Sequence, residues 1–230
     1  METVEFEISK GELFCLAAIQ GYDSLINVEY EHEDLGIDLM PEFNRLTERL
    51  RKRKWLYEDF DGNMTIALNM AATMSLCGTA ERFWIVRVHI NKSILVDHVY
   101  TIYNIGSMYL SLEQIDSKNY YGVLASDFNR IRDSVLIRTP FVDSKHTNTG
   151  ILLSELESVT EREQYALISI NEYAVETDEN ERSVVCENAS MVLFLERLGT
   201  FALQIGDDGS GGFFPISQDE YDNRIKSIFN

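Results

Sequence analysis

The sequence predicts an α+β protein: two pseudo-repeated antiparallel sheet-plus-helix units behind a helical, winged-helix-like N-terminal part. Three observations carry that expectation. Apolar residues up to Gly78 recur with helical spacing, whereas from Glu81 onward they alternate with a period of two. The stretch Ile105 to Arg132 is echoed near the C-terminus by Leu198 to Lys226. Ile105-Gly106-Ser107 answers to Leu198-Gly199-Thr200, Tyr120-Tyr121 to Phe213-Phe214, and Asn129-Arg130-Ile131-Arg132 to Asn223-Arg224-Ile225-Lys226, in the same order and at nearly constant spacing. The expected division of the single domain is 1–78 (helical), 79–140 (first sheet-helix unit) and 149–230 (second unit).

The first part opens with the alternating run Thr3 to Ile8, a short strand. Ser9 and Glu12 then form a capping box ahead of Leu13, Phe14, Leu16, Ala17 and Ile19, so a helix follows and ends near Gly21. After an acidic loop at Glu31 to Asp34, Pro41 suits the first turn of a second helix that aligns Phe43, Leu46, Leu50 and Trp55. The end of that helix carries Arg45, Arg49, Arg51, Lys52, Arg53 and Lys54. The turn Phe60-Asp61-Gly62-Asn63 precedes a third helix, Ile66 to Leu76, stopped by Gly78.

Four strands follow, at Phe83 to Ile90, Ser93 to Tyr103, Ser107 to Glu113 and Tyr120 to Leu124, with the helix Ser126 to Val135 closing the first unit. Pro140 to Asn148 reads as a polar linker. In the second unit a helix at Gly150 to Val159 leads to strands at Tyr165 to Val175 and Ser183 to Cys186 around the acidic turn Thr177 to Arg182. Met191 to Glu196 and Thr200 to Ile205 make another pair, and Phe213-Phe214 precedes the final helix, Gln218 to Phe229. Adjacent strand residues face opposite ways, so each aromatic pair should place one ring in the core.

The 230 residues are 45% hydrophobic and 11% aromatic, enough for a sizeable core. No run approaches the roughly 18 apolar residues that span a bilayer, and the acidic N-terminus is unlike a signal peptide. The expected location is therefore cytoplasmic, without membrane insertion. Cys15, Cys77 and Cys186 are odd in number and far apart, which suggests reduced core thiols rather than a disulfide framework. A net charge of -18 disfavours nucleic acid and anionic lipid and makes a protein the expected partner.

Asp59-Phe60-Asp61-Gly62-Asn63 suggests a calcium loop, but with Gly62 at the sixth position Tyr57 and Leu68 would occupy the first and twelfth, where oxygen ligands are required. Asp207-Asp208-Gly209-Ser210-Gly211-Gly212 fits neither a nucleophile elbow nor a phosphate loop; it is expected to be a mobile hairpin loop able to touch a partner. His89 and His98 occupy neighbouring strands without an evident third metal ligand, and His32 and His146 stand in loops. Many carboxylates are present, yet none is marked as an acid-base couple. The expectation is a non-enzymatic protein with no cofactor and no metal. The basic run Arg45 to Lys54 is expected to be a solvated helix end, salt-bridged to the acidic loop before it.

The helix ELFCLAAIQG, the segment RLTERLRKRKWL, the turn DFDGNMTI, the small-residue helix and the two sheet-helix units together resemble the EspG family of ESX (type VII) secretion chaperones, or a Gram-positive counterpart. At residue level the resemblance covers 9–78 and the Gly199-Thr200 turn. It implies a quasi-two-fold α+β fold and a cytosolic chaperone that binds a helical secreted substrate pair, with no residue roles carried over. Two other classes fit the composition. An acidic immunity protein would bind a toxin domain one-to-one, and a winged-helix regulator would bind DNA with steep salt dependence.

Overall fold

The computed structural model describes residues 3–28, 39–91, 95–136, 141–143, 149–178 and 181–228. The predicted acidic loop, His32 and His146 lie outside them. The chain divides into two compact units, residues 1–83 with 101–132 and residues 84–100 with 133–230.

In the first unit, strand β1 (Val4–Ser9) runs directly into helix α1 (Lys10–Gln20). The capping box sets the junction: the Ser9 N–H donates to Glu12 Oε2 at 2.9 Å and the Glu12 N–H donates to Ser9 Oγ at 3.2 Å. Gly21, at a φ of 80°, ends the helix in the left-handed conformation that a residue without a Cβ adopts readily. Helix α2 (Leu39–Lys52) and helix α3 (Leu68–Thr79) follow, and α1, α2 and α3 bury Leu13, Leu16, Leu46, Leu50, Met70 and Met74.

Between α2 and α3 the sequence suggests only a turn, but the chain forms a two-stranded hairpin of β2 (Leu56–Glu58) and β3 (Met64–Ile66). Asp59 closes it by accepting the N–H groups of Asn63 at 2.8 Å and Asp61 at 2.9 Å. These bonds, that from Asn63 foremost, hold its carboxyl below the usual range. The oxygens that resemble calcium ligands in the sequence therefore organise the turn itself.

Strands β4 (Arg82–Asn91) and β5 (Leu95–Ile105) each contribute to both units. The first unit continues with β6 (Met108–Gln114), β7 (Asn119–Ala125) and most of helix α4 (Phe128–Leu136). β7 pairs antiparallel with both β6 and β1. Phe6 lies opposite Gly122 in that register, and a Cβ at Gly122 would sit 2.4 Å from the Phe6 ring, so the aromatic requires the glycine. Tyr103, fully buried, donates its hydroxyl to the Ile26 carbonyl at 2.7 Å and ties the segment after α1 to β5.

The second unit contains β8 (Ile151–Leu152), a 3-10 turn at Leu153–Glu155, α5 (Leu156–Thr160), β9 (Tyr165–Asp178), β10 (Glu181–Leu195), β11 (Gly199–Ile205), β12 (Gly211–Pro215) and α6 (Gln218–Ile228). Among the described residues the strands of the first unit are ordered β1-β7-β6-β5 and those of the second β5-β4-β9-β10-β11-β12-β8, and the fold is mixed α+β. Within the second unit the sheet has a core on each face. Phe194 packs edge-on against Tyr221 of α6, with centroids 5.7 Å apart, while Leu193 and Leu195 point the other way into a cluster with Ile151, Phe201 and Phe213 beside α5.

Several expectations are corrected here. The predicted helix at Gly150 to Val159 is strand, 3-10 turn and a five-residue helix, because Ile151 and Leu152 pair with Phe213 and Gly212 of β12. Ser183 to Cys186 and Met191 to Glu196 are not separate strands: a β-bulge between Cys186 and Asn188 absorbs the break in alternation, and β10 runs through 15 residues. The described part of the predicted linker is anchored. Thr200 Oγ accepts the Val142 N–H and donates to the Val142 carbonyl, both at 2.9 Å, and the Phe141 ring lies 5.9 Å from Tyr221.

The two echoed segments each comprise a hairpin followed by a helix, β6-β7-α4 and β11-β12-α6. Each aromatic pair places one ring inside: Tyr120 and Phe213 are buried, Tyr121 is half-buried and Phe214 is exposed. Tyr121 donates its hydroxyl to the Glu5 carboxylate, which raises the phenol to about 12.

Candidate functional site

The predicted partner loop, Asp207 to Gly212, is a turn that runs into β12. Gly211 and Gly212 belong to β12, and a Cβ at Gly212 would come within 2.8 Å of the Ile151 carbonyl oxygen, so close pairing with β8 accounts for that glycine. The tip is a turn held by Asp208, whose Oδ1 accepts the Ser210 hydroxyl at 2.6 Å and the Ser210 N–H at 2.9 Å. Those bonds hold the Asp208 carboxyl below its ordinary range. Gly206 donates to the Ser210 carbonyl at 2.7 Å, and Gly209 takes a φ of 78°. Asp207 and Asp208 are both exposed, so the turn presents an acidic end of the β11-β12 hairpin.

Sequence reading missed what lies beside it. Ile205 is 67% exposed and Leu153 46% exposed, and both border Gly211: a Cβ there would lie 3.1 Å from Leu153 Cδ1 and 3.6 Å from Ile205 Cγ1. Leu152, 52% exposed, pairs with Gly212 and so faces the opposite side of the sheet from Ile151. Strand alternation brings Ile205 onto the face of Phe201 and Leu203, so the exposed pair continues the buried cluster outward past its last covered residue. The result is an apolar strip bordered by two carboxylates. It was legible only once β8 was known to pair with β12.

A second arrangement lies on strands β4, β5 and β9. His89 Nδ1 is 2.6 Å from Asp97 Oδ1, and His89 Nε2 is 3.2 Å from the Tyr165 hydroxyl. One imidazole thus links the carboxylate to the phenol, with donor and acceptor roles that follow its tautomer. Arg87, His98, Val99, Leu167 and Ser169 complete a cleft of about 430 Å³. His98 shares the cleft but stacks on Tyr100, with centroids 6.3 Å apart, while Asp97 turns to His89. The sequence places Asp97 beside His98; strand alternation separates those two and unites partners eight residues apart. Among the described residues, no group of three or more His, Cys, Asp or Glu side chains is placed to hold a metal ion.

Four cations of the basic run are ion-paired within the described residues; the acidic loop to which the sequence assigns them lies outside those residues. Arg45 pairs with Glu42, Arg51 with Glu58 at 2.7 Å, and Arg49 and Arg53 converge on the buried carboxylate of Glu12 at 3.3 and 3.5 Å. Arg53 also stacks over Trp55 at 3.5 Å from the ring centroid.

The cysteines divide by environment. Cys15 and Cys77 are buried, and burial pushes the Cys15 thiol up to about 12 and raises that of Cys77 as well. Cys186 is exposed on β10, which corrects the expectation of three core thiols. One thiol per chain is expected to react with Ellman's reagent in native protein at neutral pH, and the other two only after denaturation. The Cys186→Ser variant should lose the fast phase entirely.

Comparison with protein-family models and with curated proteins gives no match to this chain.

Proposed function

We propose that the protein is a cytoplasmic, non-enzymatic adaptor that binds an amphipathic helical partner, of the kind exported by type VII secretion. The observation that carries the binding mode is the apolar strip of Leu153 and Ile205 beside the acidic turn at Asp207 and Asp208. A helix with an apolar face and basic residues on its flank matches both halves of that surface. Assignment to secretion rests on the resemblance of 9–78 to the EspG family. The net charge of -18 favours a basic client and speeds its encounter.

The regulator reading loses ground because four cations of the basic run, Arg45, Arg49, Arg51 and Arg53, are already engaged by carboxylates. Displacing those partners would offset much of the gain from phosphate contacts.

The test is titration of a synthetic leucine-lysine amphipathic helix against wild-type protein and the Leu153→Asp/Ile205→Asp double variant. Each exposed side chain that becomes covered contributes about 1.5–3 kcal/mol, so the double variant should bind at least about tenfold more weakly. Its folding should be unchanged, since both side chains are solvent-facing. Equal binding by the two proteins would refute the assignment of this surface.

A further inference from the structure

The hairpin of β9 and β10 outgrows the strand that flanks it. β10 pairs with β9 along its whole length, but its register with β11 covers only Val192–Leu195. From Leu203 onward β11 pairs with β12 alone. Along Ser183 to Met191 the outer edge of β10 thus has no strand partner among the described residues. Residues 182–189 are all exposed, including Val184 at 51% and Val185 at 43%. As neighbours on a strand these two valines face opposite sides, so the open edge offers an apolar contact on each face.

An open edge is a template for another strand, and proteins guard such edges with charge and bulges. Both guards are present, and together they select the occupant. By sequence, 176–181 carries four carboxylates (Glu176, Asp178, Glu179 and Glu181) next to the single cation Arg182. A second copy would bring the same charge to the same edge. The bulge between Cys186 and Asn188 also breaks the even ladder that long self-pairing needs. A short cationic strand meets neither obstacle.

We propose that Ser183 to Met191 of β10 is a docking edge for an extended, lysine- or arginine-rich segment of a partner protein, which adds to the sheet as a strand. Main-chain hydrogen bonds supply the register, Val184 and Val185 the apolar contacts, and the hairpin carboxylates the preference for cations. This surface is separate from the one assigned to a helical client, and it stands if that assignment fails.

The experiment is amide hydrogen exchange on the full chain with a synthetic peptide of about eight alternating lysines and valines, a typical strand length. Two controls are the same peptide N-methylated at alternate residues and a glutamate-valine counterpart. Exchange across Ser183 to Met191 should slow by about tenfold or more with the lysine peptide at saturation, and with neither control. Glu176→Lys should weaken the lysine peptide by about fivefold at low salt while leaving the fold intact. Protection by the N-methylated peptide would reduce the effect to charge alone and overturn the proposal. Protection confined to other segments, or none at millimolar peptide, would overturn it equally. Concentration-dependent protection of these amides without peptide would identify a second copy as the occupant instead.

Discussion

Glu12→Ala is expected to destabilise the first unit by about 3 kcal/mol, the low end of the cost of breaking a buried ion pair. The carboxylate is 1% exposed and serves three purposes at once. Oε2 accepts the Ser9 N–H at 2.9 Å and the Ser9 hydroxyl at 3.0 Å, fixing the strand-to-helix junction. Oε1 is buried without an aligned hydrogen bond, and its compensation is the charge of Arg49 at 3.3 Å. Arg53 approaches Oε2 at 3.5 Å and donates in addition to the Glu7 carbonyl, so helix start, strand end and the end of α2 share one anion. Removing it loses the cap, about 1 kcal/mol, and leaves two cations without their partner. Both are partly exposed, Arg49 by 46% and Arg53 by 34%, so water can recover part of the loss. Glu12→Gln keeps the acceptor for Ser9 and should fall between wild type and Glu12→Ala. Urea unfolding is the measurement, with the midpoint moving and the slope unchanged. A loss below about 0.5 kcal/mol, the scale of an ordinary surface change, would contradict the account of this residue.

Phe201→Ala should cost more, about 3–5 kcal/mol, because the ring is 1% exposed at the centre of the second unit's cluster. Its neighbours Ile151, Leu193, Leu195 and Phe213 come from three strands, and rigid pairing keeps them from collapsing into the space. Phe60→Ala is the matched control. Phe60 lies fully exposed in the β2-β3 turn, and its loss should change stability by no more than about 0.5 kcal/mol. Calorimetry of both variants would separate the two environments. Similar transition temperatures for the pair would mean that the cluster beside α5 is not the core described above.

Local chemistry was legible in the sequence, and pairing at a distance was not. Ser9 and Glu12 announce a capping box at a spacing of three, and the structure forms it. Ser217 and Glu220 carry the same signal at the start of α6, with the Ser217 N–H 2.7 Å from Glu220 Oε2. That box is equally readable from its spacing of three. By contrast, Arg53 reaches Glu12 from 41 positions away and Thr200 holds Val142 from 58, distances over which periodicity is silent. Three-residue strands hold too few residues to show alternation, so the hairpin β2-β3 leaves no signal in the sequence. A bulge shifts the phase of alternation midway along β10, which in sequence looks like the end of a strand.

The same division holds for the candidate surfaces. Acidic Asp207 and Asp208 were visible as a loop, whereas Leu153 reads as part of a helix until β8 pairs with β12. The apolar half of the surface therefore emerges only from topology. His89 and Asp97 likewise become partners through strand register, not through adjacency.

The adaptor reading is tested most directly by site-specific photocrosslinking in cells that carry a type VII secretion system. A photoreactive amino acid would replace Asp207, which is exposed beside Ile205, and in a second strain Phe60, which is exposed in the first unit. The account predicts that position 207 captures a secreted protein through its helical region, that position 60 does not, and that Leu153→Asp/Ile205→Asp abolishes the capture. Capture of a toxin's catalytic domain alone would favour the immunity reading, and the absence of any secreted helical protein at position 207 would contradict the account.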